Sequence, residues 1–159
     1  SYGARSFSIR DTKGRLVYDS GADFEVNTAL IDAENFNSTN DENDSFDNRS
    51  DDKGPEPEAI EVGRIAGKSY AFIGLERVGG IMIYDISKPK KPVYKGYTNT
   101  RNFDVAAVLE DGSVNPEVGD LAPEGLLFIN HKQSPTGMPL LVVATEVSGT
   151  TAIFKVVVD

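Results

Sequence analysis

The feature that most limits what this chain can fold into is that one stretch of it occurs twice. Pro57 to Ser87, PEAIEVGRIAGKSYAFIGLERVGGIMIYDIS, is followed by PEGLLFINHKQSPTGMPLLVVATEVSGTTAIFKV, Pro123 to Val156. Pro57-Glu58 aligns with Pro123-Glu124, Glu76 with Glu146, Gly79 with Gly149, Tyr84 with Phe154 and Ile86 with Val156. Each copy holds three short runs of strand character, and a repeated supersecondary unit predicts a solenoid or a propeller. Within Gly80 to Ile86 the alternation sets Ile81 and Ile83 on one face and Met82, Tyr84 and Ile86 on the other. Both faces are then apolar, which suits a sheet lying between two other sheets better than a half-solvated hairpin.

The strands expected in the first copy are Ala59 to Val62, Tyr70 to Leu75, Gly80 to Ile86 and Pro92 to Tyr97. Those of the second are Gly125 to Asn130, Leu140 to Thr145 and Thr150 to Val158, with no fourth. Upstream, Gly3 to Asp11 and Arg15 to Ser20 read as a hairpin around Thr12-Lys13-Gly14. Val26 to Phe36 has Ala29, Leu30, Ala33 and Phe36 at helical spacing. The prediction is an all-β chain: a partial β-propeller of about two four-stranded antiparallel blades plus half a blade, with a long acidic loop. It is read as a single unit over residues 1–159, the C-terminal part of a larger propeller. Residues 3–25 are outer strands of a blade, 26–56 an acidic insertion loop and 57–98 a full blade. Residues 99–122 form a connection with its own hairpin around Glu110-Asp111-Gly112, and residues 123–158 an incomplete last blade. Uncovered apolar faces and strand edges on such a stack predict a homo-oligomer, with closure of Thr150 to Val158 against Phe7 to Tyr18 as the alternative.

The net charge of −9 sits in one place. Ile31 to Val62 holds eleven acids against Arg49 and Lys53, and the remainder is balanced at fourteen of each sign. A balanced body with one acidic segment argues against nucleic acid as a partner, since phosphate binding needs a basic face. No run of ~18 apolar residues occurs, so membrane insertion by this segment is not expected. Cysteine is absent, which excludes disulfides and thiolate metal sites within the sequence.

Within the acidic segment NSTNDENDSFDNRSDDKGPEPE, which by composition is a loop or disordered, Asp47, Asp51, Asp52, Glu56 and Glu58 offer hard oxygen ligands of the kind calcium takes. Their spacing is not that of an EF-hand, and a solvated acidic loop is the competing reading. Asn37, Asn43 and Asn48 each begin an Asn-x-Ser/Thr triplet, which the density of Asn and Ser explains by chance. Glu58 and Glu124 hold equivalent places at the start of the innermost strands, where propeller residues ring a channel mouth, and Asp120 lies close by in sequence. Repeated residues more often serve the repeat itself, which is also the reading for Glu76 and Glu146, with Arg77 as a partner for Glu76 or an anion. The single histidine, His131, has only Ser134 near it as a nucleophile and does not make a persuasive triad.

Three stretches, DNRSDDKGPEPEAI, LERVGGIMIYDIS and GDLAPEGL, resemble the final blades of the choice-of-anchor I family of exported bacterial proteins, which is similar to YVTN-type and LVIVD-type propellers. The resemblance implies a larger parent of about seven blades, secreted or held at the cell surface by variable anchors. It implies a non-catalytic binding or scaffold module. Some relatives carry phosphatase-like names, so the alternative is part of a propeller-containing hydrolase, phosphatase or phosphoesterase, with its catalytic groups mostly elsewhere. In that case Asp51, Asp52, Glu58, Asp120 and Glu124 are the residues to test.

Overall fold

The computed structural model describes residues 5–158, so the first two residues of the strand predicted from Gly3 lie outside the described residues. Three antiparallel sheets follow one another, and none closes into a barrel. A hairpin of β1 (Ser8–Arg10) and β2 (Leu16–Asp19) leads into the helix α1 (Asp23–Ile31). The central sheet takes β3 (Pro57–Ile65), β4 (Lys68–Leu75), β5 (Ile81–Asp85) and β6 (Val93–Thr98) in sequence order. The last sheet is β7 (Pro123–Ile129), β8 (Leu140–Thr145) and β9 (Thr151–Lys155). Between them the predicted hairpin of the connection is present, with Val108 bridged to Val114 and the Leu109 amide donating to Ser113.

The alternation along β4 and β5 decides what covers the central sheet. Ala71, Ile73, Leu75, Met82 and Tyr84 face one way and pack with Phe7 and Phe24. Tyr70, Phe72 and Ile81 face the other way and pack with Leu141 and Val143 of the last sheet. The contacts are aromatic on both sides: the Phe7 and Tyr84 ring centroids lie 5.0 Å apart, and Phe72 stacks on Phe128 at 5.8 Å. Both faces of one sheet are therefore buried by neighbours that come before and after it in the chain. Gly63 permits the second contact, because a Cβ there would stand 2.7 Å from the Phe128 ring.

The two copies fold alike down to single backbone bonds. The Leu75 amide donates to Gly80 and the Thr145 amide to Thr150; the Ile86 amide donates to Ser69 and the Val156 amide to Pro139. Gly79 and Gly149 turn the chain at the same point with φ of 89° and 63°, a left-handed conformation that glycine adopts without steric cost. β9 pairs with β8 alone among the described residues, and β1 with β2, so the alternative closure of the C-terminal run against the N-terminal strands is not what the sheets show.

Helix α1 departs from its sequence expectation. It begins at Asp23, three residues earlier than the expected Val26, and it buries Phe24 and Thr28, while Leu30 stands 79% exposed. The physical reason is Phe24, whose ring stacks with Phe7 and meets Tyr84 edge-on. Burying one aromatic ring in that cluster outweighs the short aliphatic stripe that Ala29, Leu30 and Ala33 would have offered. Asp23 and Glu25 in its first turn suit the positive end of the helix dipole.

Candidate functional site

The acidic segment from Phe36 to Glu56 has no regular structure, yet Asn37, Ser38, Thr39, Asn40 and Ser45 are buried. A loop so poor in apolar side chains is held by polar bonds instead. Arg101 is their hub: its guanidinium donates to Asn43 Oδ1 at 2.8 Å and to the carbonyls of Thr39, Glu42 and Arg77 at 2.7, 2.8 and 3.0 Å. It also lies over the Phe103 ring, 4.4 Å from the centroid. Burial among carbonyls instead of carboxylates pulls the Arg101 pKa down to about 10, so the side chain stays charged at neutral pH. At the other end of the loop, Arg5 donates to Glu25 at 2.6 Å and to the Ser50 carbonyl at 2.5 Å.

The loop meets the central sheet at a group of carboxylates. The strand β3 opens with a bulge in which Glu58 is the extra residue between Pro57, opposite Leu75, and Ala59, opposite Gly74. The last sheet has the same bulge at Glu124. Bulges re-aim the inserted side chain. Just upstream, Glu56 and its equivalent Ala122 both hold left-handed φ values, 48° and 59°, which cost non-glycine residues of order 1–3 kcal/mol each. Their carbonyls accept from the Glu76 and Glu146 amides at 2.8 and 2.9 Å, so this geometry too is repeated.

In the first copy alone the strained position carries a carboxylate, and one oxygen each of Glu56, Glu58 and Glu76 lie within 4.8 Å of one another. Glu56 is bonded to Arg77 Nε at 2.5 Å and to Lys53 Nζ at 2.6 Å. Burial opposes its charge, but Lys53, Glu76 and Arg77 together hold its pKa below the usual carboxylate value. Glu76 is pushed the other way, up to about 8, first by burial and then by its hydrogen bonding with Glu58 and Glu56. Neighbouring carboxyls do not all ionise readily, so burial and the nearby Glu58 and Glu56 carboxyls favour the protonated form of Glu76. Its Oε1 accepts from Asn40 Nδ2 at 2.9 Å, and Arg77 Nη1 donates to Asn40 Oδ1 at 3.0 Å. The cluster can thus do two things: fasten Asn40, and with it the loop, to the end of β4, and exchange its shared proton for another cation.

The structure divides the residues predicted for calcium. Glu56 and Glu58 come together with Glu76; Asp47 instead accepts from Ser50 Oγ, Asp52 pairs with Arg49, and Asp51 is exposed. Asp120 accepts from Thr100 and Thr150 at 2.7 and 2.5 Å, and Glu124 and Glu146 are exposed. Asn37 and Asn43 use their amides to tie the loop down, Asn37 donating to Glu25 of α1 and to Ser50, Asn43 to the Asn102 and Val105 carbonyls. His131 is exposed, and Ser134 Oγ bonds Thr136 at 2.9 Å. Sequence reasoning missed Asn40 and Arg101, which lie 36 residues from Glu76 and 62 from Thr39 respectively. Glu76 was legible through its alignment with Glu146 in the repeat, with Arg77 beside it as a partner.

Fold and site define a mostly-β protein of stacked antiparallel sheets with a docked acidic loop. A family model described as the choice-of-anchor I domain matches residues 1–89. Gigasin-3a of Magallana gigas is 34% identical over 167 residues, covering 98% of this chain and 57% of that protein. The chain belongs to the choice-of-anchor I family and spans little more than half the length of this curated relative. No solved structure matches it.

Proposed function

We propose that this chain is a run of blades from a β-propeller and acts as a binding or scaffold module of a secreted or surface-held protein. One observation carries the reading: the central sheet is covered on both faces, and the last sheet, which covers one of them, repeats its first three strands with equivalent backbone bonds at the turns. Sheets that bury both faces against copies of themselves are what radial blade packing requires. The family's description as a choice-of-anchor domain supports a place outside the cell or at its surface. The polar groups of the candidate site favour a scaffold too, since Glu56, Asn40, Arg77 and Arg101 are engaged in holding the loop. No helix among the described residues is long and apolar enough to cross a membrane. The purified chain should leave p-nitrophenyl phosphate intact. Steady turnover that disappears in Glu58→Ala would overturn the reading and make the chain a hydrolase.

The outer face of the last sheet supports association with a further sheet, in the simplest case a second copy. Leu127, Val142 and Ile153 form one cross-strand row there, with Leu127 and Ile153 56% and 64% exposed. The equivalent row of the central sheet is Glu61, Phe72 and Ile83, which the last sheet covers. Light scattering tests this, with a dimer mass expected and a monomer for Leu127→Lys.

A second reading, weak calcium binding, is favoured by the 4.8 Å spacing of the Glu56, Glu58 and Glu76 oxygens. A cation competes there with the shared proton, so calorimetric heat from millimolar calcium should grow between about pH 6 and 9. Equal absence of heat at both ends of that range would remove this reading.

A further inference from the structure

Asn37, Asn43 and Asn48 each begin an Asn-x-Ser/Thr triplet, the acceptor pattern for N-linked glycans. The density of Asn and Ser accounts for the triplets, but not for what folding does with each of them. Asn37 is 0% exposed and donates both amide hydrogens, to Glu25 and to Ser50. Asn43 also donates both, to the Asn102 and Val105 carbonyls, and its Oδ1 accepts from Arg101. A sugar on Nδ2 leaves an asparagine with one N–H. At either position it would therefore break a bond that holds the loop, and at Asn37 it would have no room.

Asn48 differs on both counts. It is exposed, and its carboxamide has no hydrogen-bond partner among the described residues. Its backbone amide closes a turn by donating to the Ser45 carbonyl at 3.1 Å, and within that turn Asp47 holds a left-handed φ of 59°. Phe46 stands on the other side of the bend and is 62% exposed. Residues two apart have Cα atoms at most ~7 Å from one another, so a sugar carried beyond the Asn48 side chain can reach the Phe46 ring. The C–H face of a pyranose is apolar and packs on an aromatic face as other apolar groups do.

We propose that Asn48 carries an N-linked glycan whose first sugar covers Phe46. The step transfers an oligosaccharide from a lipid diphosphate. Asn48 Nδ2 bonds to the anomeric carbon, the bond from that carbon to the diphosphate oxygen breaks and leaves its electron pair on the lipid diphosphate, and one amide proton passes to a base of the transferase. In the folded loop the Ser50 hydroxyl, third member of the triplet, accepts from Asn37 and donates to Asp47. Transfer therefore belongs to the chain before the loop closes, and the fold decides which asparagine can keep its glycan afterwards. A glycan on Asn48 leaves the bonds of Asn40, Arg77 and Arg101 that fasten the loop untouched. The inference rests on the secreted or surface-held reading, because such glycans are added to chains entering the export route.

The test expresses the 159-residue chain behind a cleavable secretion signal in a glycosylating eukaryotic cell. Enzymatic glycan release in heavy-oxygen water marks each occupied asparagine, and peptide mass spectrometry reads the mark. Asn48 is expected to be marked, Asn37 and Asn43 are not, and Asn48→Gln abolishes the glycan. Protein trimmed to its first sugar should melt about 2 to 4 °C above Asn48→Gln, the size of one aromatic contact in a chain of this length. That margin should vanish when both proteins carry Phe46→Ala. A bare Asn48 on chain recovered from the medium overturns the assignment and leaves the secreted reading standing. Occupancy of Asn37 or Asn43 in folded chain, or a margin that survives Phe46→Ala, overturns it equally. Because occupancy is set before export, a glycan at Asn48 on chain held inside the cell supports the assignment and counts against the secreted reading.

Discussion

Glu76→Gln isolates the proton that the carboxylate cluster shares. The amide keeps the shape of the side chain, can still accept from Asn40, and can donate to the neighbouring Glu56 and Glu58 carboxylates. What it loses is the capacity to ionise. A carboxyl whose pKa rises from 4.5 to about 8 on folding binds its proton more tightly in the native state. Its contribution is complete below about pH 4.5, falls as pH rises through that window, and levels off above about pH 8. At ~1.4 kcal/mol for each pH unit crossed, the ceiling is roughly 5 kcal/mol. Relaxation around an ionised Glu76, with Arg77 Nη2 3.3 Å away, reduces this to about 1–3 kcal/mol. For a chain of this size that corresponds to roughly 3 to 10 °C in Tm. Glu56 has the opposite sign, since its lowered pKa gives stability that is lost as pH falls, so the comparison belongs above about pH 5. Differential scanning fluorimetry of both proteins should give similar Tm values near pH 5 and a variant that is more stable by that margin near pH 9. Parallel curves, or a variant less stable at the alkaline end, would refute the reasoning.

Two further substitutions probe what holds the sheets and the loop. Gly63→Ala drives a methyl into the Phe128 ring and should destabilise by about 1–3 kcal/mol in urea melts; an unchanged midpoint would mean that the ring is not seated on β3. Arg101→Ala removes four hydrogen bonds and the contact with Phe103. It should cost roughly 3 kcal/mol and open residues 38–48 to protease cleavage ahead of global unfolding, and cleavage elsewhere first would argue against Arg101 as the clasp.

Much of the fold was legible because periodicity and repetition are local. Leu140 to Thr145 forms a strand over the predicted residues, and the other predicted runs of the two copies each contain or overlap an observed strand within a few residues. The opposed faces of Ile81 and Met82 follow from a period of two and are borne out by the two clusters that take them. The helix face was misjudged because its fate depends on Phe7 and Tyr84, which are distant in sequence from Phe24. Order in the acidic loop was hidden for the same reason. Composition shows many acids and few apolar groups, but one arginine 59 to 62 residues away binds the loop carbonyls. Of the site, Glu56 and Glu58 were legible as oxygen ligands of the acidic segment, Glu58 also as a residue of the strand entrance, and Glu76 as a residue of the repeat. Their meeting with Glu76 needs the β3–β4 register, which sets Pro57 opposite Leu75 and so carries Glu76 alongside.

The central claim is that a single sheet is buried on both faces by its sequence neighbours, and nuclear Overhauser contacts in the isotope-labelled chain test it most directly. Cross-peaks are expected from the Phe128 ring to Gly63 Hα and to the Phe72 ring, and in the same sample from the Phe7 ring to Tyr84. Loss of either set, with strands otherwise intact, would leave the central sheet open on that face and contradict the account.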